Sequence, residues 1–156
     1  MKLKVFAAVA AASLLGAAQA APLPNGGVTA QEIGGILAAA GLPVEYSTDK
    51  DGDPLVRTSW DGVKTSIYFY ECGGSPKRCK SFQSYAGFQT KNVPLAKLGE
   101  WNRTKRFGRA YLDTNGEPGV EMDVDADRGF STEAVANQLE RWRIVNREFV
   151  KFIGWR

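Results

Sequence analysis

The sequence contains no histidine, only two cysteines and two methionines, and no apolar run long enough to cross a bilayer as a stable helix. The missing imidazole excludes Ser-His and Cys-His nucleophile pairs, histidine-ligated zinc or haem, and histidine acid–base catalysis. An enzyme built from this chain would have to work with carboxylates, lysine, tyrosine or backbone groups. Excess charge of one sign is scarce as well. Removing the first 20 of 156 residues lowers Lys plus Arg from 20 to 18 against 17 acids, leaving a net charge of +1. Such a balanced surface argues against nonspecific nucleic-acid binding, which needs many uncompensated cations.

The first 20 residues carry a different message. Lys2 and Lys4, the apolar stretch from Val5 to Leu15 and the small residues Ala18-Gln19-Ala20 have the order of an export signal, with cleavage expected between Ala20 and Ala21. Neither cysteine lies near that point and no Arg-Arg pair precedes the apolar stretch, so the general export route is expected without a lipid anchor. The mature protein is expected in the periplasm or outside the cell, as one domain over residues 21–156 with no stable membrane insertion. Export also places Cys72 and Cys79 where thiols are oxidised, and a disulfide between them is expected. A zinc site lacks further ligands, and a redox site would call for Cys-x-x-Cys.

Helical spacing follows the Thr29/Glu32 capping box, with Ile33, Ile36, Leu37 and Ala40 on one side and Gly41 and Pro43 as the stop. Val44–Tyr46, Leu55–Trp60 and Val63–Glu71 read as an antiparallel meander, with Asp61-Gly62 as a tight hairpin turn. A strand over Ser81–Phe88 follows, with Tyr85 and Phe88 expected in the core. Pro94 suits the first turn of a second helix running to about Lys105. Arg106–Leu112 and Gly119–Asp125 read as a hairpin around Asn115-Gly116. A two-residue loop there sets Tyr111 opposite Val120, Arg109 opposite Met122 and Phe107 opposite Val124. Gly129 and the cap Ser131 begin a last helix with the stripe Val135, Leu139, Trp142, Val145, Phe149, Phe152 and Ile153, ending at Gly154. The order implies an α+β domain whose mainly antiparallel sheet has helices packed on it.

Several motifs fail on spacing. Asp49-Lys50-Asp51-Gly52-Asp53 starts like a calcium loop, but Pro54 and Trp60 stand where Gly and Glu are required, so a turn is expected. Ser47-Thr48-Asp49-Lys50 has the Ser-x-x-Lys spacing but ends a strand instead of opening a helix. Lys105–Tyr111 echoes an RNA-binding motif but carries Arg106 and Arg109 where Gly and an aromatic are needed. No metal or cofactor is expected. Glu121, Asp123, Asp125 and Asp127 alternate with apolar residues, giving either a solvated face or a docking surface for basic segments or divalent ions.

The run Trp101-Asn102-Arg103-Thr104-Lys105-Arg106-Phe107-Gly108-Arg109-Ala110-Tyr111-Leu112-Asp113, followed by Asn115-Gly116 and Glu121-Met122-Asp123, resembles the core of the YbjN-type domain family. The early helix, the Asp-Gly-Asp-Pro turn, the aromatic strand ending at Cys72, the second Cys79 and the Trp142–Ile153 helix extend the likeness over nearly the whole mature chain. The resemblance implies a fold similar to the small dimeric chaperones of type III secretion, which bind extended protein segments and carry no catalytic centre. Gly99, where members often carry Asn, and Asp127-Arg128-Gly129-Phe130, in place of a more Gly-rich turn, depart from the pattern. The cysteine pair marks an exported subgroup.

A noncatalytic exported domain is therefore expected, recognising a protein or peptide of the cell envelope in a regulatory or chaperone-like role and pairing as a homodimer. Its binding surface is expected to draw on Trp101, Asn102, Arg106, Arg109, Glu121, Asp123 and Asp125. The alternative is a small carboxylate-dependent hydrolase acting on envelope polysaccharide.

Overall fold

The computed structural model describes residues 21–24, 26–128 and 130–155, so Ala20 and Gly129 lie outside the described residues. Helix α1 (Ala30–Ala39) is followed by strands β1 (Glu45–Thr48), β2 (Pro54–Trp60), β3 (Val63–Gly73) and β4 (Arg78–Gly87), helix α2 (Leu95–Thr104), strands β5 (Arg109–Leu112) and β6 (Pro118–Asp125), and helix α3 (Thr132–Ile153). All strand pairs are antiparallel, in the order β1-β2-β3-β4-β6-β5. The architecture is α+β.

Local chemistry accounts for the element boundaries. Thr29 accepts from the Glu32 amide while the Glu32 carboxylate accepts from the Thr29 amide, so two amides left free by the helix start are satisfied. Ser131 caps α3, and Gly154, at φ 72°, ends it. Pro94 is the N-cap of α2, one position before the helix proper, because its extended backbone cannot be the first helical turn. Asp61 and Gly62, both at positive φ, join Trp60 to Val63 in a two-residue turn.

The core lies between one face of the sheet and the helices. Val56, Ile67, Phe69, Phe82, Ala86, Val120, Met122 and Val124 meet Ile33 and Leu37 of α1 and Val135, Leu139, Trp142, Val145 and Phe149 of α3 in one buried cluster. Trp142 Nε1 donates to Thr65 Oγ1 at 3.2 Å, tying α3 to the first part of β3. Phe149 is flanked by Phe88 and Trp101, with ring centroids 5.4 and 5.0 Å away. Phe88 is buried as expected, whereas Tyr85 is half-buried on the opposite face.

Cys72 and Cys79 are disulfide-bonded and stand opposite each other within the β3–β4 ladder, so both strands run past the limits expected from sequence. Val28 pairs with Cys79 in an isolated bridge, fastening the entry to α1 to this hairpin. A Cβ at Gly27 would lie 1.9 Å from the Cys79 carbonyl oxygen, which explains the glycine there.

The β5–β6 hairpin corrects the register expected from sequence. Arg109 faces Glu121, Ala110 faces Val120, Tyr111 faces Gly119 and Leu112 faces Pro118, one residue out of step. The cause is the turn. The Asp113 amide donates to Glu117 O, and Asp113 Oδ1 accepts from the Asn115 and Glu117 amides at 2.8 Å each, leaving three residues in the loop with Gly116 at φ 77°. Asp49 organises the β1–β2 turn identically, accepting from the Asp51 and Asp53 amides with Gly52 at φ 83°. The slip moves β5 by one face: Ala110 points into the core, and Arg109 and Tyr111 join the acidic side of β6. Phe107 lies outside the strand altogether.

Candidate binding surface

The residues that carry the family resemblance divide into two groups in space. Trp101 and Asn102, near the end of α2, form a clasp on β5. Trp101 is buried, and its Nε1 donates to Gly108 O at 2.9 Å. Asn102 Nδ2 donates to Ala110 O at 2.9 Å while its Oδ1 accepts from the Ala110 amide at 2.8 Å. Trp101 is buried and Asn102 exposed, and both side chains spend hydrogen bonds on the backbone at and just before the edge strand.

Between clasp and strand the chain bends tightly. Phe107 has φ 73°, and the Gly108 amide donates back to Arg106 O at 3.0 Å, which makes Phe107 the centre of a γ-turn. A Cβ on Gly108 would lie 2.4 Å from Val145 Cγ1, so the strand approaches α3 closely only because the side chain is missing. Phe107 is turned outward, and the guanidinium groups of Arg106 and Arg141 lie 4.9 and 4.5 Å from its ring centre. Arg106 thus belongs to a shallow groove of about 420 Å³ beside α3, lined also by Ile144 and Val145, away from the acidic strand.

The second group assembles on the sheet face opposite the helices. There Tyr85 of β4, Glu121 of β6 and Arg109 of β5 form one row across the strands, Tyr68, Gln83 and Asp123 a second, and Tyr70, Ser81 and Asp125 a third. Glu121 is buried, contrary to a fully solvated acidic face, and is ion-paired with the exposed Arg109, whose Nε donates to Glu121 Oε1 at 2.8 Å. Asp123 and Asp125 are exposed. Gln83 links two rows, with Nε2 donating to Asp123 Oδ1 at 2.8 Å and Oε1 accepting from the Tyr70 hydroxyl at 3.4 Å.

Sequence reasoning missed the tyrosines. Tyr68 of β3, Tyr85 of β4 and Tyr111 of β5 form a continuous file across the sheet, with ring centroids 6.5 and then 6.4 Å apart. Glycine makes the space: Cβ atoms at Gly87 and Gly119 would lie 2.5 and 2.9 Å from the Tyr85 side chain. Tyr70 adds a fourth, more exposed ring. The available signal was the alternation Tyr68, Phe69, Tyr70 in β3, but an aromatic on both faces of a strand hides which face is covered.

The phenols share an anionic field. Burial comes first in raising the Tyr70 hydroxyl above its ordinary range, followed by the charges of Asp123 and Glu121. Burial likewise raises Tyr85, helped by Asp113 and Glu121, and raises Tyr111, helped by hydrogen bonding to and the charge of Glu121. These hydroxyls remain protonated donors at neutral pH. Among the described residues, no group of three His, Cys, Asp or Glu side chains could hold a metal ion.

Comparison with curated proteins gives no match. Among solved structures, the chain is similar to the Yersinia pestis type III secretion chaperone SycH, crystallised in complex with a stable fragment of YscM2. The two are 12% identical with a TM-score of 0.44, over 74% of this chain and 96% of that one. Residues 29–155 match the family model YbjN, described as a putative bacterial sensory transduction regulator, and the chain belongs to that family.

Proposed function

We propose that this protein is a noncatalytic exported domain that recognises a protein or peptide of the cell envelope, in a regulatory or chaperone-like role. The observation that carries the reading is the open sheet face, where Tyr68, Tyr70, Tyr85 and Tyr111 present flat, amphipathic rings on a hydrogen-bonded support. Tyrosine gives large contact area at low entropic cost, and rings anchored on strands are already ordered before a partner arrives. The hydrolase alternative has little support. Glu121 is neutralised by Arg109, and Asp123 and Asp125 stand on an open face without a cleft that could raise one carboxyl and hold a sugar.

Export is part of the same proposal. Ala21 is already built into the domain: its carbonyl accepts from the Thr132 amide at 3.0 Å, and Leu23 donates to Phe130 O at 2.9 Å. Cleavage before Ala21 therefore leaves these contacts in place.

A photoreactive amino acid placed at Tyr70 or Tyr111 in exporting cells should give an adduct with a distinct polypeptide. The same probe at Arg147, exposed on the helical side, should not. Equal adducts from all three positions, or none from the tyrosine face, would overturn the assignment of the surface. N-terminal sequencing of the recovered protein should start at Ala21, and a start at Met1 would overturn the export claim.

A further inference from the structure

The partner's chemistry can be taken further, on the reading that the tyrosine face is where it docks. Two independent features of that face converge. One is spacing. Ring centroids 6.5 and 6.4 Å apart match the distance between alternate side chains of an extended chain, about 6.6 Å for two residues. An extended segment lying along the file can set every second side chain over a ring.

The other is charge. Asp49, Asp113, Glu117, Glu121 and Asp123 all lie close enough to act electrostatically on the hydroxyls of Tyr70 or Tyr85. Among the described residues, no lysine or arginine nitrogen lies within 4.0 Å of Asp49, Asp113, Glu117, Asp123 or Asp125; Glu121 has Arg109. The neighbouring cations are already engaged, Lys50 with Asp51 at 2.8 Å and Arg57 with Glu45 at 3.8 Å. Lys64 stands beyond Arg57, at the start of β3, six residues from Tyr70. The tyrosine half of the face therefore combines electron-rich rings with carboxylates that lack counter-charges, the combination that attracts ammonium and guanidinium groups. A ring and a carboxylate can act on one side chain together: Tyr68 and Asp123 stand in the same row, separated only by Gln83.

We propose that the file Tyr68–Tyr85–Tyr111, with Asp123 beside it, is a docking track for an extended basic segment of a partner polypeptide carrying arginine or lysine at alternate positions.

The test uses the mature protein and three fluorescent peptides: alternating arginine and serine, the same peptide with neutral citrulline for arginine, and one with glutamate. Anisotropy should show the arginine peptide binding about tenfold or more tightly than the citrulline one, with no binding of the glutamate peptide. Added salt should weaken the arginine complex. Asp123→Asn should reduce its affinity several-fold, while Glu133→Gln, on α3 and away from the track, should leave it unchanged; unfolding curves check that both variants fold. Equal affinity for the arginine and citrulline peptides, with Tyr85→Ala weakening both, would overturn the basic-segment inference and leave the peptide-binding face standing. Binding unaffected by Tyr85→Ala, or no binding of any peptide, would overturn this inference; the crosslinking from Tyr70 and Tyr111 then decides the face separately.

Discussion

Asn102 mimics a neighbouring strand at one residue: its carboxamide both donates to and accepts from the backbone of Ala110 on the outer side of β5. Replacing it with alanine removes two partly buried hydrogen bonds and leaves an edge amide and carbonyl without partners. Asn102→Ala should cost about 2 kcal/mol in urea unfolding. Asn102→Asp should cost as much at neutral pH, because a carboxylate can accept from the amide but repels the carbonyl. That loss should shrink as acid protonates the new side chain.

Phe107 and Gly108 make opposite predictions from adjacent positions. Relieving a positive φ in a phenylalanine is favourable, so Phe107→Gly should raise stability by up to about 1 kcal/mol despite the added freedom of the unfolded chain. Gly108→Ala forces a methyl group against Val145 and should cost about 2 kcal/mol. Thermal melts of the two variants give the signs directly.

The Glu32 carboxyl links stability to acid. Its partial burial alone would raise its pKa, but hydrogen bonds from Arg78 and Thr29 outweigh that and hold it below the ordinary value of 4.5. The contribution is therefore complete above that value, where the unfolded chain is also ionised, and is lost as pH falls through the lower native value. Urea midpoints measured downward from pH 4.5 should fall more steeply for the wild type than for Glu32→Gln.

At the other end of the scale, three phenols resist ionisation. Tyr70, Tyr85 and Tyr111 should ionise above their ordinary value of 10.0 in an ultraviolet titration of the folded protein. The unfolded chain releases these protons first, so stability should decline as pH rises beyond about 10. Glu121→Gln removes one charge from the field and should bring Tyr111 ionisation to lower pH.

The elements readable from sequence were those governed by local chemistry. The Thr29/Glu32 box, the Asp61-Gly62 turn, the Ser131 cap and the α3 stripe each act within a few residues, and all stand where they were expected. The β5 register was not readable because Asn115-Gly116 fits two turns, and the Asp113 carboxylate selects the longer one. The backbone hydrogen bonds of Trp101 and Asn102 were not readable for a related reason. A polar, aromatic pair at a helix end reads as a contact site, and only the approach of β5 shows the backbone groups it also holds. The tyrosine file depends on strand order, since Tyr85 and Tyr111 become neighbours only because β6 lies between β4 and β5 and carries Gly119 at that point.

A sheet has two margins, and the Asn102 contact occupies Ala110 on one of them. Strand pairing with a second copy is hindered there and less so at the β1 margin, where two joined copies would use up each other's free side. Growth by strand pairing through that margin alone would halt at a pair rather than extend into a ribbon.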